Sequence, residues 1–167
     1  MNPLTLPIIT ASVLGLGVAL PWSTAIAQTA KDLVGTWNAV SATVEQGGNK
    51  TDTFGPNPKG TLVFDGNGRY VLVILRSDLS KFASNNRATG TPEENKAVVQ
   101  GSIAHFGTYS VSEDNKTLIF RIESSTFPNW SGAEQKRQFT ITGDELTYVV
   151  PSASVGGTPE VVLRRAK

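Results

Sequence analysis

The sequence predicts an all-β protein, an eight-stranded antiparallel up-and-down barrel with one short helical segment between the third and fourth strands. Short apolar runs rich in β-branched and aromatic residues recur along the chain, and most of the 16 glycines and 9 prolines lie between them. A sheet of eight strands removes its exposed edges completely by closing into a barrel, whereas the alternative is an eight-stranded sandwich. The predicted strands are residues 33–45, 60–65, 69–76, 103–111, 117–124, 135–142, 145–150 and 160–165.

The first 27 residues are predicted to be a signal peptide. Residues 4–20 are largely apolar, and the small residues Ala25 and Ala27 form a cleavage signal that places the cut after Ala27. The alternative is an uncleaved membrane anchor, but Pro7 and polar residues interrupt a stretch that is short for a membrane span. Residues 28–167 then form one domain, because this length holds one sizeable core.

Composition and charge exclude several classes of function. The chain lacks cysteine and has one histidine, so thiol chemistry and multi-histidine metal clusters are excluded, and no cofactor is predicted. The net charge is +1 and neither sign forms a run, which argues against nucleic acid or an anionic membrane surface as a partner. An exported protein without cysteine is typical of the bacterial envelope, so we expect a secreted or periplasmic protein with no membrane span after cleavage.

The first three predicted strands enclose one long loop and one tight turn. The first strand places Gly35, Trp37 and Ser41 on one face, and the polar residues 46–58, rich in glycine and proline, are predicted to be a loop. The second and third strands flank an asparagine between two glycines, which indicates a hairpin because these residues tolerate positive φ. The third strand is apolar on both faces, which favours a central position in the sheet.

The helical segment follows the third strand. Thr91, Pro92 and Glu94 supply an N-cap threonine, a proline at the first helical position and a glutamate at the capping-box position. Residues 97–99 supply an apolar stripe, and Gly101 is a plausible stop. A connection of this length usually has a role, such as capping one end of a barrel.

The last five strands are joined mainly by short polar turns. The fifth strand alternates, with Phe120 on its apolar face and Glu123 on the other. A loop containing Trp130 precedes the sixth strand, on which Arg137 shares a face with Phe139. If that face points inward, the barrel contains a cation that must be paired or hydrogen-bonded.

The order and spacing of short motifs over residues 33–165 resemble the bacterial lipocalin-like domain proteins, part of the wider calycin group. The resemblance implies a lipocalin-like barrel and, by analogy with lipocalins, a small apolar ligand. Members of the family often carry histidine where this chain has Phe120 and Arg121, so no site built on those histidines is expected. The motifs are LVGTW from residue 33, FDGNGRY from residue 64, TPEE from residue 91, FGTY from residue 106, FPNWSG from residue 127 and GDEL from residue 143.

The resemblance also implies structural roles for Gly35, Trp37 and Arg165. In the lipocalin G-x-W signature, the tryptophan plugs one barrel end and a basic residue of the last strand packs over its ring. Arg165 is the first candidate for that residue and Arg164 the second. Any ligand is then expected to enter at the opposite end, near the helical segment and the loop of Trp130.

Two ionisable residues have both a structural and a functional interpretation. Arg137 forms either a structural ion pair, for example with Glu123, or a site for a ligand carboxylate. His105 has no evident carboxylate partner, so it is interpreted as a surface or hydrogen-bonded structural residue, with general base as the alternative.

The predicted ligand-binding residues are apolar side chains, Arg137, and aromatic side chains with a polar handle. For Tyr70, Tyr109 and Trp130, ordinary core packing is an equal alternative. The predicted set is Tyr70, Leu72, Ile74, Tyr109, Phe120, Trp130, Arg137, Phe139 and Tyr148.

Three functions are compatible with the sequence. The first is an exported protein that binds a small hydrophobic or amphipathic molecule inside the barrel. The second is a barrel enzyme of the isomerase or cyclase type acting on such a molecule, although no catalytic motif is present. The third is an envelope protein with a filled barrel that binds a partner. A cavity in the barrel distinguishes the first two functions from the third.

Overall fold

The computed structural model of the protein describes residues 29–46, 48–114, 116–151 and 153–167. The predicted signal peptide, residues 1–27, and its cleavage site lie outside the described residues. In the described part of the chain, no helix has both the length and the apolar character needed to cross a membrane.

The described residues form one antiparallel sheet of nine strands with two short α-helices. Helix α1 (Ala30–Leu33) precedes the sheet, and helix α2 (Pro92–Gln100) lies between β4 and β5. The strands are β1 (Gly35–Gln46), β2 (Asn49–Asp52), β3 (Lys59–Phe64), β4 (Arg69–Leu75), β5 (Ser102–Val111), β6 (Thr117–Ser125), β7 (Glu134–Thr142), β8 (Glu145–Val149) and β9 (Glu160–Arg165).

Eight of these strands close into a barrel, which confirms the predicted fold class. Strands β3 to β9 pair sequentially, and β1 pairs with both β3 and β9. Strand β2 pairs with the last residues of β1, on the edge of β1 that β9 does not occupy. The helix between the third and fourth predicted strands therefore lies between β4 and β5, because β2 is an additional strand. The prediction that residues 46–58 are entirely loop is wrong at Asn49–Asp52, a fully exposed strand with no apolar alternation to reveal it.

A β-bulge in β1 changes which of its residues face inward. The register with β9 shifts between Ala39 and Ser41, so the side chains before and after the bulge alternate in opposite phase. Trp37 is buried before the bulge, whereas Ala42 and Val44 are buried after it. The prediction that Ser41 shares the face of Trp37 is therefore wrong, since strict period-two alternation does not anticipate an extra residue.

One end of the barrel is closed by packing around Trp37. The ring is fully buried, and its indole N–H donates a hydrogen bond of 2.7 Å to the carbonyl oxygen of Leu33 in α1. The guanidinium carbon of Arg165, rather than that of Arg164, lies 4.0 Å from the Trp37 ring centroid. Arg165 also donates to the carbonyl oxygens of Val34 (3.0 Å) and Asp32 (2.6 Å). The first and last strands thus meet at a cap that binds α1 to the barrel.

Helix α2 has the predicted start but not the predicted apolar stripe. The Thr91 hydroxyl accepts from the amide of Glu94, and the Glu94 carboxylate accepts from the amide of Thr91, which completes a capping box followed by Pro92. No residue of the helix is buried, and Val99 is 75% exposed. The prediction that residues 97–99 pack as an apolar face is wrong, since none of the three is buried.

Candidate functional site

The site is a cavity at the barrel end opposite Trp37. Its walls come from the interior faces of the strands, the loop after β2, the turn that holds Trp130 and the loop between β8 and β9. Its volume is ≈ 40 Å³, room for roughly three water molecules. The lining residues are Ala42, Thr53, Phe54, Leu72, Ile74, Ile103, His105, Trp130, Arg137, Tyr148, Val150, Ala153, Ser154, Val155, Pro159 and Val161.

The structure separates the predicted ligand-binding residues into two groups. Five line the cavity: Leu72, Ile74, Trp130, Arg137 and Tyr148. Four are buried in the core beside or below it: Tyr70, Tyr109, Phe120 and Phe139. Tyr109 lies nearest the closed end, where its hydroxyl donates to the carbonyl oxygen of Asp65 (2.8 Å) and its ring centroid lies 4.6 Å from that of Phe64. Alternation along a strand identifies inward side chains, but it does not show how far along the barrel axis each one lies.

Arg137 is the charged residue among those that are seen to line the cavity. It lies on β7 beside Leu118 of β6, and only 2% of its surface is exposed. Its Nε and Nη2 atoms donate to Oε1 of Gln135, at 3.2 and 2.6 Å. Its guanidinium carbon lies 4.6 Å from the ring centroid of Phe120, 5.1 Å from that of Tyr148 and 5.9 Å from that of Trp130. An amide oxygen and three aromatic rings therefore surround the cation.

The predicted ion pair between Arg137 and Glu123 is wrong. Glu123 faces outward and pairs with Arg69, at 2.7 and 2.9 Å. Among the described residues, no carboxylate forms an ion pair with Arg137. Burial lowers the pKa of Arg137, and the nearby hydroxyls of Tyr148 and Tyr70 act in the opposite direction. Because arginine does not lose its proton in proteins, the site contains a buried cation that has no anionic partner among the described residues.

His105 is the second polar group with a defined geometry. It is 2% exposed, and its Nδ1 atom lies 2.8 Å from the hydroxyl of Tyr70. Burial, and then the charge of Arg137, lowers the pKa of His105 from 6.5 to about 3, while burial raises the pKa of Tyr70. Both groups are neutral at pH 7. His105 is thus hydrogen-bonded and buried, and its ring lies edge-on to Trp130 with 5.7 Å between centroids.

Thr53 and Phe54 are lining residues that the sequence did not indicate. Both follow β2 in a stretch predicted to be loop, and the hydroxyl oxygen of Thr53 is buried without a hydrogen-bond partner in the described structure. Phe54 is 9% exposed. A phenylalanine within an otherwise polar loop was the available signal of a buried position, because burial of a large apolar side chain stabilises the folded protein. The cavity residues 153–155 follow β8 and carried no comparable signal.

The chemistry of the site is that of an apolar pocket with a few convergent hydrogen-bonding groups. Among the described residues, its lining contains one cation, one neutral histidine, one tyrosine and two hydroxyl side chains, and includes neither aspartate nor glutamate. In the described residues, no group of three or more histidine, cysteine, aspartate or glutamate side chains is placed to hold a metal ion. The arrangement suits recognition of a small, largely apolar molecule.

Comparison with known proteins identifies a family, a relative and a similar barrel structure. Residues 34–165 match the model of a family described as a lipocalin-like domain. The 4'-hydroxy-3'-methoxypropiophenone carrier protein ppsC of Aspergillus oryzae is 31% identical over 86 residues, which cover 47% of this chain and 78% of that protein. A redesigned beta barrel of known structure aligns with 86% of this chain and 100% of its own, at 15% identity and a TM-score of 0.46.

Proposed function

The chain belongs to the lipocalin-like domain family, and we propose that it binds a small hydrophobic or amphipathic molecule at the open end of its barrel. The observation that carries this proposal is the cavity, which combines apolar walls with the polar groups of Arg137, His105 and Thr53. An envelope protein with a filled barrel, the third function compatible with the sequence, predicts no such space. The relative named a carrier protein lends support, since carriage requires binding without conversion.

The size of the cavity indicates how a ligand is accommodated. A volume of ≈ 40 Å³ is well below the roughly 300–1,000 Å³ of pockets that hold drug-sized ligands. The strand walls are fixed by their ladders, whereas Trp130 and residues 153–155 lie on connections at the mouth. Binding therefore displaces these connections outward, and small planar molecules are better candidates than long lipids.

Catalysis of the isomerase or cyclase type is the second candidate, because His105, which is hydrogen-bonded to Tyr70, brings an ionisable group to the cavity. A general base works best when its pKa lies near the operating pH. The pKa of His105, about 3, makes it a weak base at neutral pH. Binding without chemistry is the better-supported function.

We also propose that the barrel acts outside the cytoplasm. The support is the apolar stretch of residues 4–20 and the small residues Ala25 and Ala27 that follow it. Intact-mass measurement of protein recovered from the exported fraction tests this proposal. A chain that begins at Gln28 is expected, and a retained full-length chain contradicts cleavage.

Binding is tested with the uncharged fluorophore N-phenyl-1-naphthylamine and a cavity-filling variant. Saturable fluorescence enhancement is expected with the unaltered protein. Ala42→Leu adds volume to the cavity wall and is expected to weaken binding at least about tenfold, since overpacking excludes the probe.

The matched control is Ala104→Leu, because Ala104 lies between the buried residues Ile103 and His105 on β5 and faces outward. Its affinity for the probe is expected to be unchanged. Urea unfolding shows whether each variant remains folded. Binding that survives Ala42→Leu in a folded barrel contradicts a site in this cavity.

A further inference from the structure

Arg137 is a buried charge that pairs with no carboxylate of the described residues. Moving a charge out of water is costly unless it is paired, and removal of a partner leaves that cost uncompensated. Among the described residues, neither an ion pair nor a lining carboxylate compensates Arg137. The folded protein therefore maintains a positive potential inside an apolar pocket.

Gln135 orients this cation without removing its charge. One amide oxygen accepts from both Nε and Nη2, which fixes the plane of the guanidinium group. The rings of Phe120 and Tyr148 stabilise the cation through their faces, as cation–π contacts do, but they add no negative charge. Arg137 is therefore held in place with its charge available to a molecule in the cavity.

Thr53 is a second polar residue of the cavity whose side chain lacks a partner among the described residues. Its hydroxyl oxygen is buried and lacks a hydrogen-bond partner in the described structure, and the residue lines the same cavity as Arg137. A buried polar group without a partner is destabilising, and a polar ligand atom removes that cost. The lining thus offers a cation and, separately, a hydroxyl that a ligand with two polar groups would satisfy.

We propose that the ligand is a small, largely apolar acid whose carboxylate binds Arg137. The planar guanidinium fork matches the geometry of a carboxylate, and the aromatic side chains around it suit a flat hydrocarbon body. A second polar group of the acid bonds to Thr53. This inference rests on the proposed binding function, which it narrows to anionic ligands.

The test compares trans-cinnamate with its uncharged isostere cinnamamide, by isothermal titration calorimetry on the full chain at pH 7. The acid is expected to bind at least about tenfold more tightly than the amide, which is the lower end of the preference supplied by hydrogen bonds to charged groups. Arg137→Met is expected to abolish this preference. The amide should retain its affinity within about threefold, because the apolar walls are unchanged.

Arg69→Met is the matched control, since Arg69 is an exposed arginine that pairs with Glu123 outside the cavity. The acid-to-amide ratio of this variant is expected to equal that of the unaltered protein. If Arg137→Met does not fold, Arg137→Gln takes its place. The preference of the unaltered protein for the acid over the amide is measured without any variant.

The outcomes separate the two proposals. Equal affinity for acid and amide in the unaltered protein overturns the anionic ligand and leaves small-molecule binding intact. A preference that persists in folded Arg137→Met overturns the role of Arg137. Failure of cinnamate, cinnamamide and N-phenyl-1-naphthylamine to bind at all overturns both proposals.

Discussion

Acid should destabilise the protein through His105. Its pKa is 6.5 in the unfolded chain and about 3 in the folded barrel, because burial and the charge of Arg137 oppose protonation. Between these values the unfolded chain binds the proton and the folded protein does not. The contribution of His105 to stability is thus fully present above pH 6.5 and is lost as the pH falls toward 3.

The magnitude follows from the two pKa values. The full difference corresponds to about 5 kcal/mol, and each pH unit below 6.5 removes about 1.4 kcal/mol of it. Between about pH 7.5 and about pH 4.5, His105 alone should therefore lower the free energy of unfolding by roughly 2.7 kcal/mol.

His105→Asn isolates this contribution. Asparagine retains a polar atom near the position of Nδ1 but does not titrate, and carboxylates with lowered pKa such as Asp78 and Asp114 affect both proteins equally. Urea unfolding at the two pH values should show the unaltered protein losing roughly 2.7 kcal/mol more than the variant. Because the chain has one histidine, its imidazole NMR signal can be followed without ambiguity. A histidine that titrates near 6.5, or equal losses in the two proteins, would refute this reasoning.

Three further predictions concern stability, and all are measured by urea unfolding. Arg165→Met removes the cation over the tryptophan ring and two hydrogen bonds, so the free energy of unfolding is expected to fall by about 1–3 kcal/mol. The control Arg164→Met, at an exposed arginine, should lower it by less than about 0.5 kcal/mol. Gly107→Ala places a Cβ against a carbonyl oxygen of the neighbouring strand and should cost about 1–3 kcal/mol or more, whereas Gly66→Ala meets open space and should cost less than about 0.5 kcal/mol. Thr53→Val removes an unpartnered buried hydroxyl and should stabilise the ligand-free protein by about 1 kcal/mol, and a clear loss of stability would show that the hydroxyl has a partner.

The barrel was predictable because its pattern is local and repeated. Each predicted strand is an apolar run between turn residues, and Thr91 and Glu94 form the hydrogen bonds of a capping box that short-range sequence alone specifies. The cap of Arg165 over Trp37 followed from the lipocalin resemblance rather than from strand pattern. The resemblance also implied that ligand entry is at the other end, where the cavity lies.

The features that escaped prediction depend on contacts between distant parts of the chain. The bulge at Ala39 and Ser41 reverses the inward face of β1, and the pattern of one strand does not show an extra residue. Glu123 pairs with Arg69 because β4 and β6 both lie beside β5, and the registers that bring the two side chains together are not visible in the pattern of one strand. The loop containing Thr53 lines the cavity because β2 folds back along β1.

The central claim is that a small molecule binds at the end of the barrel that holds Trp130 and not at the end that holds Trp37. The chain has three tryptophans, and the indole N–H signals of Trp37 and Trp130 report on these ends separately. Trp22→Phe and Trp130→Phe variants assign the signals. In titration with trans-cinnamate followed by ¹⁵N–¹H NMR, the Trp130 signal should shift to saturation. The Trp37 indole, which donates to the carbonyl oxygen of Leu33 within the closed cap, should stay in place. A Trp37 signal that shifts while Trp130 does not, or two signals that remain fixed at ligand excess, would contradict binding at the open end.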